Sequence, residues 1–184
     1  IVMGIDPGTN TTGYGIVRTD GRRMQCIVLG DIDLHRIGDP YRKLGRIFER
    51  VCALIDAYRP DEVALESPFF GENVQSMLKL GRAQGVAMAA ALSKGLPVSE
   101  YAPRRIKQAI TGQGSASKEQ VALILKGMLH LDELPKRLDA TDGLAVAVCH
   151  VFQCSRPEGL ESGPRKKALG GGPASKSWEQ FLAE

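Results

Sequence analysis

Three short apolar runs separated by tight-turn residues fill the first 33 positions, and a helical period fits none of them. IVMGI stops at Asp6-Pro7-Gly8, TTGYGIVRT follows, and Asp20-Gly21 turns the chain into MQCIVLGDIDL. Turns this short join neighbouring antiparallel strands, so the segment predicts a three-stranded meander. The period then changes. After Pro40, the residues Leu44, Ile47, Phe48, Val51, Leu54, Ile55 and Tyr58 recur at helical spacing until Pro60. EVALE reads as a buried strand that ends at Glu66 before Ser67-Pro68. A helix over 73–94 carries Gly81, Gly85 and Ala89 four apart, a flat stripe suited either to a partner or to the protein's own sheet. LPVSEY is a short strand, and Pro103 opens a further helix. Ser117 with Gln120 makes a capping box for a helix over 118–130, and DATDGLAVAVCHVF is a last helix over 139–152. A meander followed by alternating helices and strands implies an α/β fold with one mixed five-stranded sheet flanked by helices.

The 184 residues suffice for one domain, expected over 1–155, with a Gly/Ser/Pro-rich segment over 156–184 read as a flexible tail. A hydrophobic share of 43% with 24% charged residues excludes a disordered chain. No apolar run approaches the ~18 residues that a membrane span needs, and the first run lacks the basic leader of a secretory signal. Four cysteines without a C-x-x-C pair read as small core residues of a reducing, cytoplasmic protein. Cys149, His150 and Cys154 stand near one another, but on a helix Cys149 and His150 point in different directions, which argues against a zinc site. With 24 basic and 21 acidic side chains the net charge is only +3, so any claim on nucleic acid has to rest on a local site.

That site is acidic. Asp6 and Glu66 each end an apolar strand, and Asp139 and Asp142 stand three apart in the first turn of the last helix. If the first and fourth strands are neighbours, Asp6 and Glu66 meet at the carboxyl end of the sheet, and a helix over that end adds the other two. Four converging carboxylates repel one another. Hard divalent ions remove that cost, and oxygen-only ligands select Mg²⁺ or Mn²⁺. Two such ions are the arrangement that hydrolyses phosphodiesters.

GIDPGTNTTGYGIV, VALES with two phenylalanines just after, LKLGRAQGVAMAAAL, YAPRRIKQAITGQGSASKEQV and LDATDGLAVAVCH resemble, in order, the RuvC family of Holliday-junction resolvases, which are ribonuclease H-like. The resemblance spans about Val2 to Val151. It implies a crossover junction endodeoxyribonuclease with Asp6, Glu66, Asp139 and Asp142 as metal-binding catalytic residues. Two Mg²⁺ ions per site are implied, with Mn²⁺ as a substitute. It further implies a homodimer on four-way junction DNA, cooperation with the RuvA–RuvB branch-migration complex, and roles in recombination and repair. Lys107 and Lys118 match lysines placed near the scissile phosphate, with Arg104 and Arg105 as candidates to widen the basic rim. Phe69, more than its neighbour Phe70, matches an aromatic set against unpaired bases. Glu72 departs from relatives that carry a basic residue there. Three other readings compete: a ribonuclease H-like nuclease acting on RNA, a junction-binding module without cleavage, against which all four carboxylate positions are filled, and an ATP-binding lobe of the actin/hexokinase type, for which 184 residues are too few.

Overall fold

The computed structural model describes residues 1–21, 23–68, 73–135 and 137–155. Ten elements follow in the expected order. The strands are β1 (Val2–Asp6), β2 (Thr11–Thr19), β3 (Met24–Asp33), β4 (Glu62–Glu66) and β5 (Val98–Tyr101), and the helices are α1 (Pro40–Tyr58), α2 (Val74–Ser93), α3 (Pro103–Thr111), α4 (Lys118–Leu129) and α5 (Asp139–Cys154). The sheet runs β3-β2-β1-β4-β5. β1, β2 and β3 pair antiparallel, and β1–β4 and β4–β5 pair parallel. This is the ribonuclease H-like mixed sheet. Among the described residues no helix is long and apolar enough to cross a membrane.

Alternation along the strands sorts two cores. Met3, Ile5, Ile16, Val63 and Leu65 point to the face covered by α1 and α2, where Ile47, Val51, Ala83 and Ala87 meet them. Val2, Val17 and Ala64 point the other way, toward α5, which is in turn backed by Ile106 of α3 and Val121 and Leu125 of α4. Because the sheet lies beneath α5 and two helices lie over it, every residue from Gly143 to Val151 is buried. A helix apolar all round is what such a position demands.

The ends of the helices follow their sequence signals. Asp39 accepts from the Tyr41 N–H with Pro40 at the first helical position, and Arg59 closes α1 in the left-handed region before Pro60. The capping box of Ser117 and Gln120 is present. Asp139 is not a cap: Leu138 holds that position without a side-chain bond.

Close packing of small residues occurs in a different place from the one expected. Gly81 and Gly85 have nothing within 4 Å of where a Cβ would stand, so their stripe on α2 does not pack on the protein's own sheet. The close contact is between α5 and the strands β1 and β2. A Cβ on Gly4 would lie 2.3 Å from the Ala147 nitrogen, one on Gly13 would lie 1.8 Å from the Asp139 carbonyl oxygen, and one on Gly143 would lie 2.4 Å from the Tyr14 Cα. These neighbours are backbone and cannot turn aside. Gly143→Ala should therefore destabilise the protein by about 1–3 kcal/mol in denaturant unfolding, as over-packing does. Gly45→Ala, on an open face of α1, should instead stabilise by up to ~1 kcal/mol through helix propensity.

Candidate active site

Asp6 and Glu66 are the last residues of adjacent parallel strands. The register pairs Ile5 with Leu65, so the next step along each strand sets the two carboxylates side by side. Both fall on the α5 side of the sheet by alternation with Gly4 and Ala64. The backbone beneath them is tied down. Gly8 and Thr12 bond each other across the turn after β1, at 3.1 and 3.3 Å. From α1, the Lys43 ammonium donates to the Thr9 carbonyl and the Asn10 side chain. On the other strand, the Gln84 amide of α2 donates to the Glu66 carbonyl at 3.4 Å, and the Ser67 N–H donates to the Tyr101 carbonyl at 2.9 Å.

α5 brings Asp142 over this pair. Asp6, Glu66 and Asp142 line one cleft of about 150 Å³ together with Lys107, Lys118 and Pro103. Lys118 forms an ion pair with Asp142. Asp139, one turn earlier, opens instead into an adjoining cleft with Thr9, Asn10, Thr11, His35 and Arg137. Asp142 thus lines the cleft itself, while Asp139 stands to one side of it.

The electrostatics are those of like charges crowded out of water. Burial foremost, then the Asp142 charge, pushes the Asp6 carboxyl up from 3.8 to about 7; Asp139 adds to this and Lys118 opposes it. Burial, followed by Asp6 and Asp142, pushes Glu66 from 4.5 to about 8 against the pull of Lys118 and Lys107. Asp142 is also raised, by burial, with Lys118 opposing. For Lys118 burial works to lower the pKa, but the bond to Asp142 and the fields of Asp6 and Asp139 outweigh it and raise it. All the carboxylate donors are oxygen, so the donor set fits a hard divalent cation, whose charge would replace the bound protons.

The remaining sequence candidates fall in different places. Arg105 stands two residues from Lys107 on α3, which turns it to the other side of the helix; its guanidinium donates to the Gln153 side chain at 2.6 Å, near the far end of α5. It does not widen the rim of the cleft. Arg104 is exposed, and its stem lies against Gly114. Phe69, Phe70, Glu72 and the segment 156–184 lie outside the described residues.

The family model described as crossover junction endodeoxyribonuclease RuvC matches residues 2–150. The chain belongs to the RuvC family. It is 60% identical to the RuvC of Bacteroides fragilis, over 100% of this chain and 93% of that relative. It superposes on Thermus thermophilus RuvC in complex with Holliday junction substrate with a TM-score of 0.78 and 35% identity, over 84% of this chain and 94% of that one. The yeast mitochondrial Holliday junction resolvase, 12% identical with a TM-score of 0.62, shares the fold alone. None of the competing readings is favoured: this RuvC-family chain is a Holliday-junction-resolving endonuclease.

The raised carboxyls make a prediction for the metal-free protein. Asp6 and Glu66 hold protons more tightly folded than unfolded, so their contribution to stability is full below about 4 and is lost as pH rises through about 7 and about 8. The melting temperature in chelator should fall across that window, and saturating Mg²⁺ should restore more of it at the alkaline end. The fall should shrink in Asp6→Asn. A flat profile in the wild-type protein would show that the carboxyls are not crowded.

Proposed function

We propose that Asp6, Glu66, Asp142 and Asp139 are the catalytic, metal-holding residues of this endonuclease, with Mg²⁺ as the resident ion and Mn²⁺ able to replace it. The observation that carries the reading is the cleft in which three carboxyls from β1, β4 and α5 crowd one another beside two lysines. A pair of divalent cations held by these carboxylates would supply the acidity that makes water nucleophilic near neutral pH and the positive charge that steadies the leaving oxygen. The chain contributes fixed positions. Asp6 and Glu66 are held by the strand ladder and Asp142 by a buried helix, and a cation would take the place that the Lys118 ammonium holds at Asp142. Lys107 and Lys118 are point charges suited to phosphate oxygens, and they set the scissile phosphate against the carboxylates. Attack of water on phosphorus breaks the bond to O3′ and leaves a 5′-phosphate and a 3′-hydroxyl.

The partner is four-way junction DNA, as in the Thermus thermophilus complex. Phe69 is the residue proposed to stack on an unpaired base at the junction centre, a contact worth about 1–3 kcal/mol. The RuvA–RuvB complex, a cytoplasmic location, and division of the chain into a nuclease domain over 1–155 and a tail follow from the resemblance and the composition.

Paired nicks need two sites related by a two-fold axis, and α2 supplies a surface for that. Gly85 and Ala89 are exposed, and they continue a row with Val74, Leu78 and Leu92, which are 64%, 53% and 56% exposed. Residues at these intervals lie on one side of a helix. A second copy seated on this row would form a homodimer.

On synthetic four-way junctions, Asp6→Asn should bind like the wild-type protein and lose Mg²⁺-dependent nicking by at least ~100-fold, the scale of removing one electrostatic catalytic group. Nicking without divalent metal, or full nicking by Asp6→Asn, would overturn the reading. Gly85→Arg should leave the helical content intact but give a monomer by light scattering, and its nicks should lose their pairing across the junction. A dimeric Gly85→Arg would place the interface elsewhere.

A further inference from the structure

α5 carries chemistry at both ends. Its first turn holds Asp139 and Asp142; its far end holds His150 and Cys154, four apart and therefore on one side of the helix, roughly 12 and 18 Å from Asp142 along the axis at 1.5 Å per residue. His150 is 2% exposed, an unusual depth for an imidazole that the nuclease site does not use. Its Nε2 lies 2.7 Å from Oε2 of Glu62, the first residue of β4, and 3.5 Å from Sγ of Cys154. Its Nδ1 lies 2.8 Å from the Tyr101 hydroxyl, and the Tyr101 ring meets the imidazole edge-on with centroids 5.7 Å apart. Among the described residues, this is the one group in which three side chains of ligating type bring their donor atoms within 4.8 Å of one another.

We infer that Glu62, His150 and Cys154 form a binding site for a borderline-soft divalent cation of the Zn²⁺ class, distinct from the carboxylate cleft. The donor set is one carboxylate oxygen, one imidazole nitrogen and one thiolate. Thiolate and imidazole favour Zn²⁺ and its neighbours and disfavour Mg²⁺ and Ca²⁺. Bonds of 2.0–2.3 Å in a tetrahedron place donor atoms ~3.3–3.6 Å apart. The Sγ–Nε2 separation already has that value. The Glu62–His150 contact is shorter because a hydrogen bond spans it, and Glu62, with 43% of its side chain exposed, has room to withdraw as the metal takes the proton's place. Tyr101 fills the supporting position that a metal-bound histidine requires, a hydrogen-bond partner on the ring nitrogen facing away from the metal, which fixes the ring's orientation. Cys154 is exposed and gives the ion a way in. Three protein donors leave a fourth position for water or an external ligand. The bound ion would clip the end of α5 to the start of β4, the two elements that carry Asp142 and Glu66 at their other ends.

The probe is Co²⁺ followed by Zn²⁺, titrated into the full metal-free chain under reducing conditions. The wild-type protein should develop the near-ultraviolet thiolate-to-cobalt absorption band, and stoichiometric Zn²⁺ should erase it. Asp6→Asn should keep the band, because the carboxylate cleft contributes no sulfur; the result therefore stands apart from the nuclease reading. Cys154→Ser changes an exposed side chain and should retain its far-ultraviolet circular dichroism and Mg²⁺-dependent nicking, yet lose the band and bind Zn²⁺ at least ~100-fold more weakly in chelator competition. Tyr101→Phe should keep the band and weaken Zn²⁺ binding about 10–100-fold, the usual cost of losing an outer hydrogen bond to a ligand. A wild-type protein with no band, or a band that survives in Cys154→Ser, would overturn the proposal.

Discussion

The close approach of α5 to β1 and β2 is the contact on which the rest of the structure depends. It exists because Gly4, Gly13 and Gly15 on the strands and Gly143 on the helix present no Cβ, so backbone rests on backbone. A helix held off by ordinary side chains would carry its first turn away from the strand ends, and Asp142 would no longer share a cleft with Asp6 and Glu66. The same approach places the amino end of α5, where helix backbone dipoles favour negative charge, over the cleft that Asp6, Glu66 and Asp142 line. The packing of α5 and the convergence of three carboxyls in one cleft are therefore set by the same four missing methyl groups.

The order of elements was legible because each boundary has a local cause. Pro40 and Pro60 bracket α1, Ser117 and Gln120 open α4, and Asp20-Gly21 turns β2 into β3. The adjacency of Asp6 and Glu66 was legible too, once β1 and β4 were taken as neighbours, since both carboxylates end their strands. Which small residues pack closely was not. Gly81 and Gly85 form a regular helical stripe, but they face outward, whereas the glycines that matter are scattered over two strands and a helix and look like turn formers. A stripe declares that close approach is allowed and leaves its direction open.

Side-chain direction was the other thing the sequence withheld. Arg105 lies within a basic run beside Lys107, yet the helical turn between them sends one to Gln153 and the other into the cleft. His150 and Cys154, four apart, share one side of α5, whereas the adjacent Cys149 points elsewhere. Glu62 could not join them until the register of β4 was known, 88 residues earlier in the chain. Clusters built from one helix face are readable; clusters that borrow a residue from a distant strand are not.

The charge balance also reads differently with the site in place. Without the four carboxylates the chain holds 24 basic residues against 17 acidic ones, although the total is only +3. At the cleft, burial and mutual repulsion push the Asp6 and Glu66 carboxyls well above the usual carboxylate range. That arrangement demands a rigid α5. A slip of one residue along the helix would shift Asp142 by about 1.5 Å and rotate it by about 100°, enough to remove it from the cleft. The glycine contacts fix that register at one end, and the Tyr101–His150–Glu62 chain fixes it at the other. The helix is fastened at both ends because the carboxylates on its first turn have no backbone ladder of their own to position them, unlike Asp6 and Glu66.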